Sequence, residues 1–330
     1  MVDVDRVIDW LLDPEHSDPA IRWQVMRDLL DAPESDWRAE RAKVETEGWG
    51  ARLLSLGDDD GRWAGGAHFP ADHVWGGDEP GQPWTATTHC LSLLRAFGLD
   101  PASDRVQRTV ALIGANARWE HAGQPYWDGE VEPCINGMTV ANGTYFGVDM
   151  SPVVDRLVGE RLEDGGWNCE AENGSVRSSF DTTINVLEGL LEDERVTGGT
   201  PASRQARRSG EEYLLTRSLF RRRSTGEPAD ARYLRFHHPD RWRYNVLRGL
   251  DHFRASAILT GTAPDPRLGE AIEHVRARRS GDGTWPLDWR MPGRTWFEID
   301  DGEGEPSRWV TLRASRVLRW WDGQITPSPG

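Results

Sequence analysis

The stretch DGGWNCEAENGSVRSSFDTTINVLEGLL, Asp164 to Leu191, decides the fold. It opens on Asp-Gly-Gly-Trp, passes through a polar loop and enters a run with helical spacing: Phe180, Ile184, Leu187, Leu190 and Leu191. Steps of three and four keep one helix face apolar. The opening recurs as DGRW at Asp60–Trp63 and DGTW at Asp282–Trp285. Tyr126-Trp127-Asp128-Gly129 repeats it with the order reversed, and Asp240-Arg241-Trp242 repeats it without glycine. Trp63 and Trp285 lie 222 residues apart, so four intervals average about 55 residues, room for two helices and their connections.

A helix-spaced segment follows each tryptophan. Beside Phe180–Leu191 these are Thr85–Leu99, Cys134–Phe146, Tyr244–Leu259 and Val310–Trp321. Pro19–Leu30 opens the set, with Asp18 placed to cap it and Pro19 at its first position. Between them lie more charged segments with a single apolar stripe: Arg6–Leu12, Asp36–Leu56, Asp104–Ala117, Pro152–Leu162, Ser203–Leu219 and Pro266–Arg279. Nothing has the alternation of a strand. The expectation is an all-α protein, an α6/α6 toroid of alternating inner and outer helices in one domain over residues 1–330.

Composition fits that expectation. The chain has 330 residues with 17 Trp and 35 Gly, a surplus that the turns absorb. Three Cys give no disulfide framework. An acidic N-terminus and the lack of a long apolar run argue against a leader or a membrane span, so a cytoplasmic location is expected. A net charge of -15 disfavours a nucleic-acid partner. The basic run Arg204–Arg223 reads as a solvated helix face and loop, and Asp58-Asp59-Asp60 as a solvated turn.

The Asp-Gly-Gly-Trp repeats resemble those of the terpenoid-cyclase and protein-prenyltransferase α/α toroids, over roughly Trp63 to Trp321. The resemblance implies a free-standing, squalene-cyclase-like or prenyltransferase-like domain whose substrate is an apolar, isoprenoid-like small molecule. The DxDD acid of squalene-type cyclisation is absent. Prenyltransferases hold zinc through an Asp-x-Cys pair at one inner-helix start and a His later. Here Glu132-Pro133-Cys134 stands at the first place, and Asp181 stands where the His is expected.

The candidate site follows from that rim. Cys134 opens one inner helix, Cys169 lies in the loop before the next, Asp181 starts that helix, and His237 and His238 lie in the loop before the fifth. Two thiols, an imidazole and a carboxylate suit zinc, so Cys134, Cys169, Asp181 and His238 are the expected ligands. Glu170, beside Cys169, and Tyr244 are candidate catalytic groups. Trp127, Trp167, Trp242 and Arg243 are candidate substrate contacts. Cys90, a turn inside its helix, reads as core. The alternative is a metal-free toroid that binds an apolar ligand or a partner segment.

Overall fold

The computed structural model describes residues 4–323. In chain order its helices are α1 (Val4–Leu12), α2 (Pro19–Asp28), α3 (Glu34–Ala42), α4 (Gly48–Ser55), α5 (Thr87–Phe97), α6 (Asp104–Asn116), α7 (Pro133–Tyr145), α8 (Ser151–Gly159), α9 (Phe180–Thr197), α10 (Pro201–Leu215), α11 (Val246–Thr260), α12 (Gly269–Ala277) and α13 (Arg308–Trp321). Pairing between extended segments is limited to isolated bridges among the described residues. The fold is all-α. No helix of the described residues is long and apolar enough to cross a membrane.

The described helices gather into two compact units, one of residues 44–212 and 291–298, the other of 4–43, 213–290 and 299–323. In the first unit α5, α7 and α9 are largely buried, whereas α6 and α8 bury a single stripe each, Val106, Val110 and Ile113 and then Val153, Val154 and Leu157. Glycine sets the closest approach. A Cβ on Gly137 of α7 would lie 2.4 Å from the Asn185 carbonyl oxygen, and one on Gly189 of α9 would lie 2.5 Å from that of Gly137. In the second unit α2, α11 and α13 form the buried layer, and α12 buries only Ala271, Ile272 and Val275.

The repeated turn has one construction. Trp63, Trp167 and Trp285 are each at most 1% exposed. Each indole N–H donates to the carbonyl ten residues earlier, Leu53, Leu157 and Val275, at 2.9, 2.7 and 2.7 Å. Each backbone N–H donates to a threonine hydroxyl in the helix that follows, Thr87, Thr183 and Thr311, at 3.1, 3.1 and 3.0 Å. The tryptophan therefore fastens the end of an outer helix to the start of a buried one. The glycine after each Asp supplies a left-handed residue, Gly61, Gly165 and Gly283 at φ +88, +105 and +93. In the glycine-free repeat Arg241 takes that position, at φ +54.

Two expected segments differ. Asp36–Leu56 is broken into α3, a short 3-10 turn and α4, because Gly48 turns the chain at φ +64. Arg207, expected on a solvated face, is 2% exposed, its guanidinium held by Glu194 at 2.8 Å and Glu211 at 2.6 Å.

Candidate metal centre

The first unit brings two of the expected ligands together. The loop after Trp63 meets the loop after the buried Trp119 where the Ala67 and His68 N–H groups donate to Glu120 at 2.8 and 2.9 Å, and the loop after Trp167 meets the start of α7 at the two cysteines. Pro133 opens α7, with Cys134 next. The preceding loop is fixed by Asn136, whose side chain accepts from the Glu130 N–H and donates to the Glu130 carbonyl, both at 2.7 Å. Glu130 in turn accepts from the Glu132 N–H at 2.7 Å. Cys169 begins a 3-10 turn capped by Asn168, and its N–H donates to the Thr182 hydroxyl at 3.2 Å.

The Cys134 and Cys169 sulfur atoms lie 2.8 Å apart, and the Cys134 thiol faces Glu132 Oε2 at 3.4 Å. Thr182 Oγ1 donates to Cys169 Sγ at 3.4 Å. Among the described residues, Glu132, Cys134 and Cys169 form a group whose donor atoms all lie within 4.8 Å of one another. The neighbouring Cys169 thiol, burial and the Glu132 charge push the Cys134 thiol well above its usual pKa. A cation bound by these atoms would deprotonate a coordinating thiol.

Glu132 was not among the expected ligands, although its spacing to Cys134 matched the Asp-x-Cys pair; the structure places its carboxylate in the group. Asp181 is not in the group; it sits in the first turn of α9, where its backbone carbonyl accepts from Asn185 Nδ2 at 2.7 Å. Glu170 is exposed beside Cys169, and its carboxylate accepts from Asn173 at 2.9 Å. Trp127 is half-buried between α6 and α7, where Gly114 and Gly143 leave room for its ring. Trp167 is fully enclosed with its N–H engaged, which makes it a packing group and not the substrate contact expected.

The remaining candidates belong to the second unit. His238 stacks on Trp309 at 4.4 Å, with both ring nitrogens enclosed and without a hydrogen-bond partner among the described residues. Burial lowers its pKa to about 3 and that of His237 to about 4, so both rings are neutral. No group of converging donors includes His238 among the described residues, so its expected role as a ligand is not carried. Tyr244 is 1% exposed and donates its hydroxyl to the Leu219 carbonyl at 2.7 Å, which corrects the expectation of a catalytic phenol. Trp242 is half-buried under the Arg243 guanidinium, 4.4 Å from its ring centroid. Cys90 is buried, as expected.

Asp300, before α13, is an unexpected titrating group. Burial raises its pKa to about 7, against hydrogen bonds from Ser307 and the Arg308 N–H. A carboxyl that holds its proton more tightly when folded loses stability as pH rises from its unfolded value, near 4, to about 7. Asp300→Asn should therefore match the parent below pH 4 and grow progressively more stable than it up to pH 7, with no further gain above. Urea unfolding across that range reads the difference directly.

No family model matches the sequence, and no curated protein matches it. Solved structures do. A polysaccharide lyase is 11% identical, with 98% of this chain and 99% of that one covered and a TM-score of 0.51. A type II terpene cyclase from Scytonema in complex with geranylgeranyl dihydroxybenzoate is 14% identical, covering 93% and 87%, at a TM-score of 0.44; its apo form gives 0.42. The likeness to the lyase is one of fold. It agrees with the helical architecture that the tryptophan repeats imply, and at such identities it leaves the chemistry to this chain's own residues.

Proposed function

We propose that this chain is a zinc-dependent enzyme whose metal is held by Glu132, Cys134 and Cys169, and that residues 1–330 form one α/α-toroid domain. The convergence of two thiols and a carboxylate from separate repeats carries the metal reading. Two sulfurs and one oxygen suit zinc better than calcium or magnesium, which prefer oxygen alone. The 3.4 Å between Cys134 Sγ and Glu132 Oε2 matches the spacing of donors around a tetrahedral ion, whereas the two sulfurs, 2.8 Å apart, must open by about 1 Å to bind zinc at about 2.3 Å each. Three protein ligands leave one position open, the pattern of catalytic and not structural zinc. Bound there, zinc supplies a Lewis acid or an activated water or thiol.

The protein residues do the rest. Asn136 and Glu130 fix the loop that carries Glu132, and Thr182 orients Cys169. Glu170 is the adjacent carboxylate available as a base. An apolar, isoprenoid-like substrate follows from the resemblance of the repeats. Val74, Trp75 and Val176 are strongly exposed in loops that lead into α5 and α9, apolar side chains available to contact a ligand. They equally suit the second reading, a metal-free binder of an apolar ligand.

Metal content separates the two. Protein purified without added metal should carry about one zinc per chain, and Cys134→Ser or Cys169→Ser should remove it while Cys90→Ser leaves it. Zinc retained by both site variants, or absent from the parent and not taken up on titration, would leave the binder.

A further inference from the structure

The two sulfur ligands are also positioned to bond to each other. At 2.8 Å, Cys134 Sγ and Cys169 Sγ are closer than sulfur atoms normally pack, and about 0.8 Å short of disulfide bonding distance. Both cysteines are half-buried and reachable, whereas Cys90 is enclosed. Cys169 lies on a short surface turn, in a loop whose neighbours Glu170, Glu172 and Asn173 are exposed, and so has local freedom to move. Cys134 is anchored in the first turn of α7.

We propose that Cys134 and Cys169 form a reversible disulfide on reaction with a low-molecular-weight disulfide, and that this closes the metal centre by consuming both of its sulfur ligands. Bond formation rests on the geometry of the pair; only its consequence for the metal rests on the zinc reading. The exchange balances in two steps. Cys169 sulfur attacks the small disulfide, forming a mixed disulfide and releasing one small thiol, which takes up the Cys169 proton. Cys134 sulfur then attacks Cys169 sulfur, and the second small thiol leaves with the Cys134 proton. The protein pair gives up two electrons and two protons, and the small disulfide becomes two thiols. Glu132 Oε2, 3.4 Å from Cys134 Sγ, is placed to accept the proton in transit.

The test uses the full chain, reduced and freed of metal with a chelator, then incubated with oxidised glutathione. Alkylation under denaturing conditions and intact-mass measurement should show the three labelled cysteines of the reduced protein fall to one. The unlabelled oxidised chain should be lighter by about 2 Da, the two hydrogens lost, and a dithiol reductant should restore it. Cys90→Ser should form the same disulfide and leave no cysteine to label. Cys134→Ser and Cys169→Ser, checked for unchanged circular dichroism, should form no internal disulfide. Zinc added before the oxidant should keep all three cysteines available. Three labelled cysteines after metal-free oxidation, or a disulfide that includes Cys90, would overturn the proposal. Loss of two thiols in a protein that binds no zinc would support the disulfide and reject the metal reading alone. Zinc binding without disulfide formation would do the reverse.

Discussion

Trp167→Ala should lower the unfolding free energy by about 3–5 kcal/mol. The indole is completely buried, its edge lies where a side chain on Gly210 would be, and its N–H reaches the Leu157 carbonyl at 2.7 Å. Alanine leaves a ring-sized cavity and a carbonyl without its donor. Trp167→Phe retains most of the packing and forfeits the hydrogen bond, so it should cost about 1–2 kcal/mol. Trp242→Ala, at a half-buried position under Arg243, should cost less than either. Denaturant unfolding of the three variants gives that order. A loss below about 1 kcal/mol for Trp167→Ala would remove the turn from the account of what fastens the helices.

Arg316→Met should cost about 3 kcal/mol, through charge and not volume. Arg316 lies on α13, where its guanidinium binds Asp251 of α11 at 2.8 Å and reaches Gln24 and Asp28 of α2 at 2.9 and 3.3 Å. Asp28 and Asp251 are well buried, and despite that burial the surrounding arginines hold both carboxyls below their usual pKa. Their contribution is present at neutral pH and is lost as pH falls through those depressed values. Methionine fills the space but removes the cation shared by both carboxylates, leaving Asp28 to Arg27 and Arg254 and Asp251 to Arg254 and Arg313. Acid unfolding of the variant should therefore begin at higher pH than in the parent. An unchanged acid midpoint would contradict the role assigned to Arg316.

How much of this was legible depended on how local the signal was. The Asp-Gly-Trp turns were visible because each needs a left-handed residue and a ring, and glycine and tryptophan advertise both. The fifth turn hid its left-handed position under Arg241, where no residue preference marks it. Helix cores were placed well: α6 spans Asp104–Asn116 where Asp104–Ala117 was expected, and α13 spans Arg308–Trp321 where Val310–Trp321 was expected. The break at Gly48 looked like an ordinary glycine in an amphipathic run.

The site was half visible. Cys134 and Cys169 announced themselves as rare residues, one opening a helix and the other in the loop that leads to the next buried one. Glu132 carried only the Glu-x-Cys spacing as a signal; its placement depends on Asn136 folding the Gly129–Glu132 loop back onto α7, a side-chain-to-backbone contact with no periodicity. Tyr244 and Trp167 looked available because a sequence shows a hydroxyl or an indole but not the carbonyl that occupies it. For Tyr244 that carbonyl, Leu219, is 25 residues upstream. Arg207 was misplaced for a related reason: its partner Glu194 is on the preceding helix.

X-ray absorption at the zinc edge, on protein loaded with one equivalent of zinc, tests the metal centre most directly. The account predicts two sulfur scatterers at about 2.3 Å and lighter oxygen ligands at about 2.0–2.2 Å, with both sulfurs lost in Cys134→Ser/Cys169→Ser. A first shell of nitrogen and oxygen alone in the unmodified chain would contradict it.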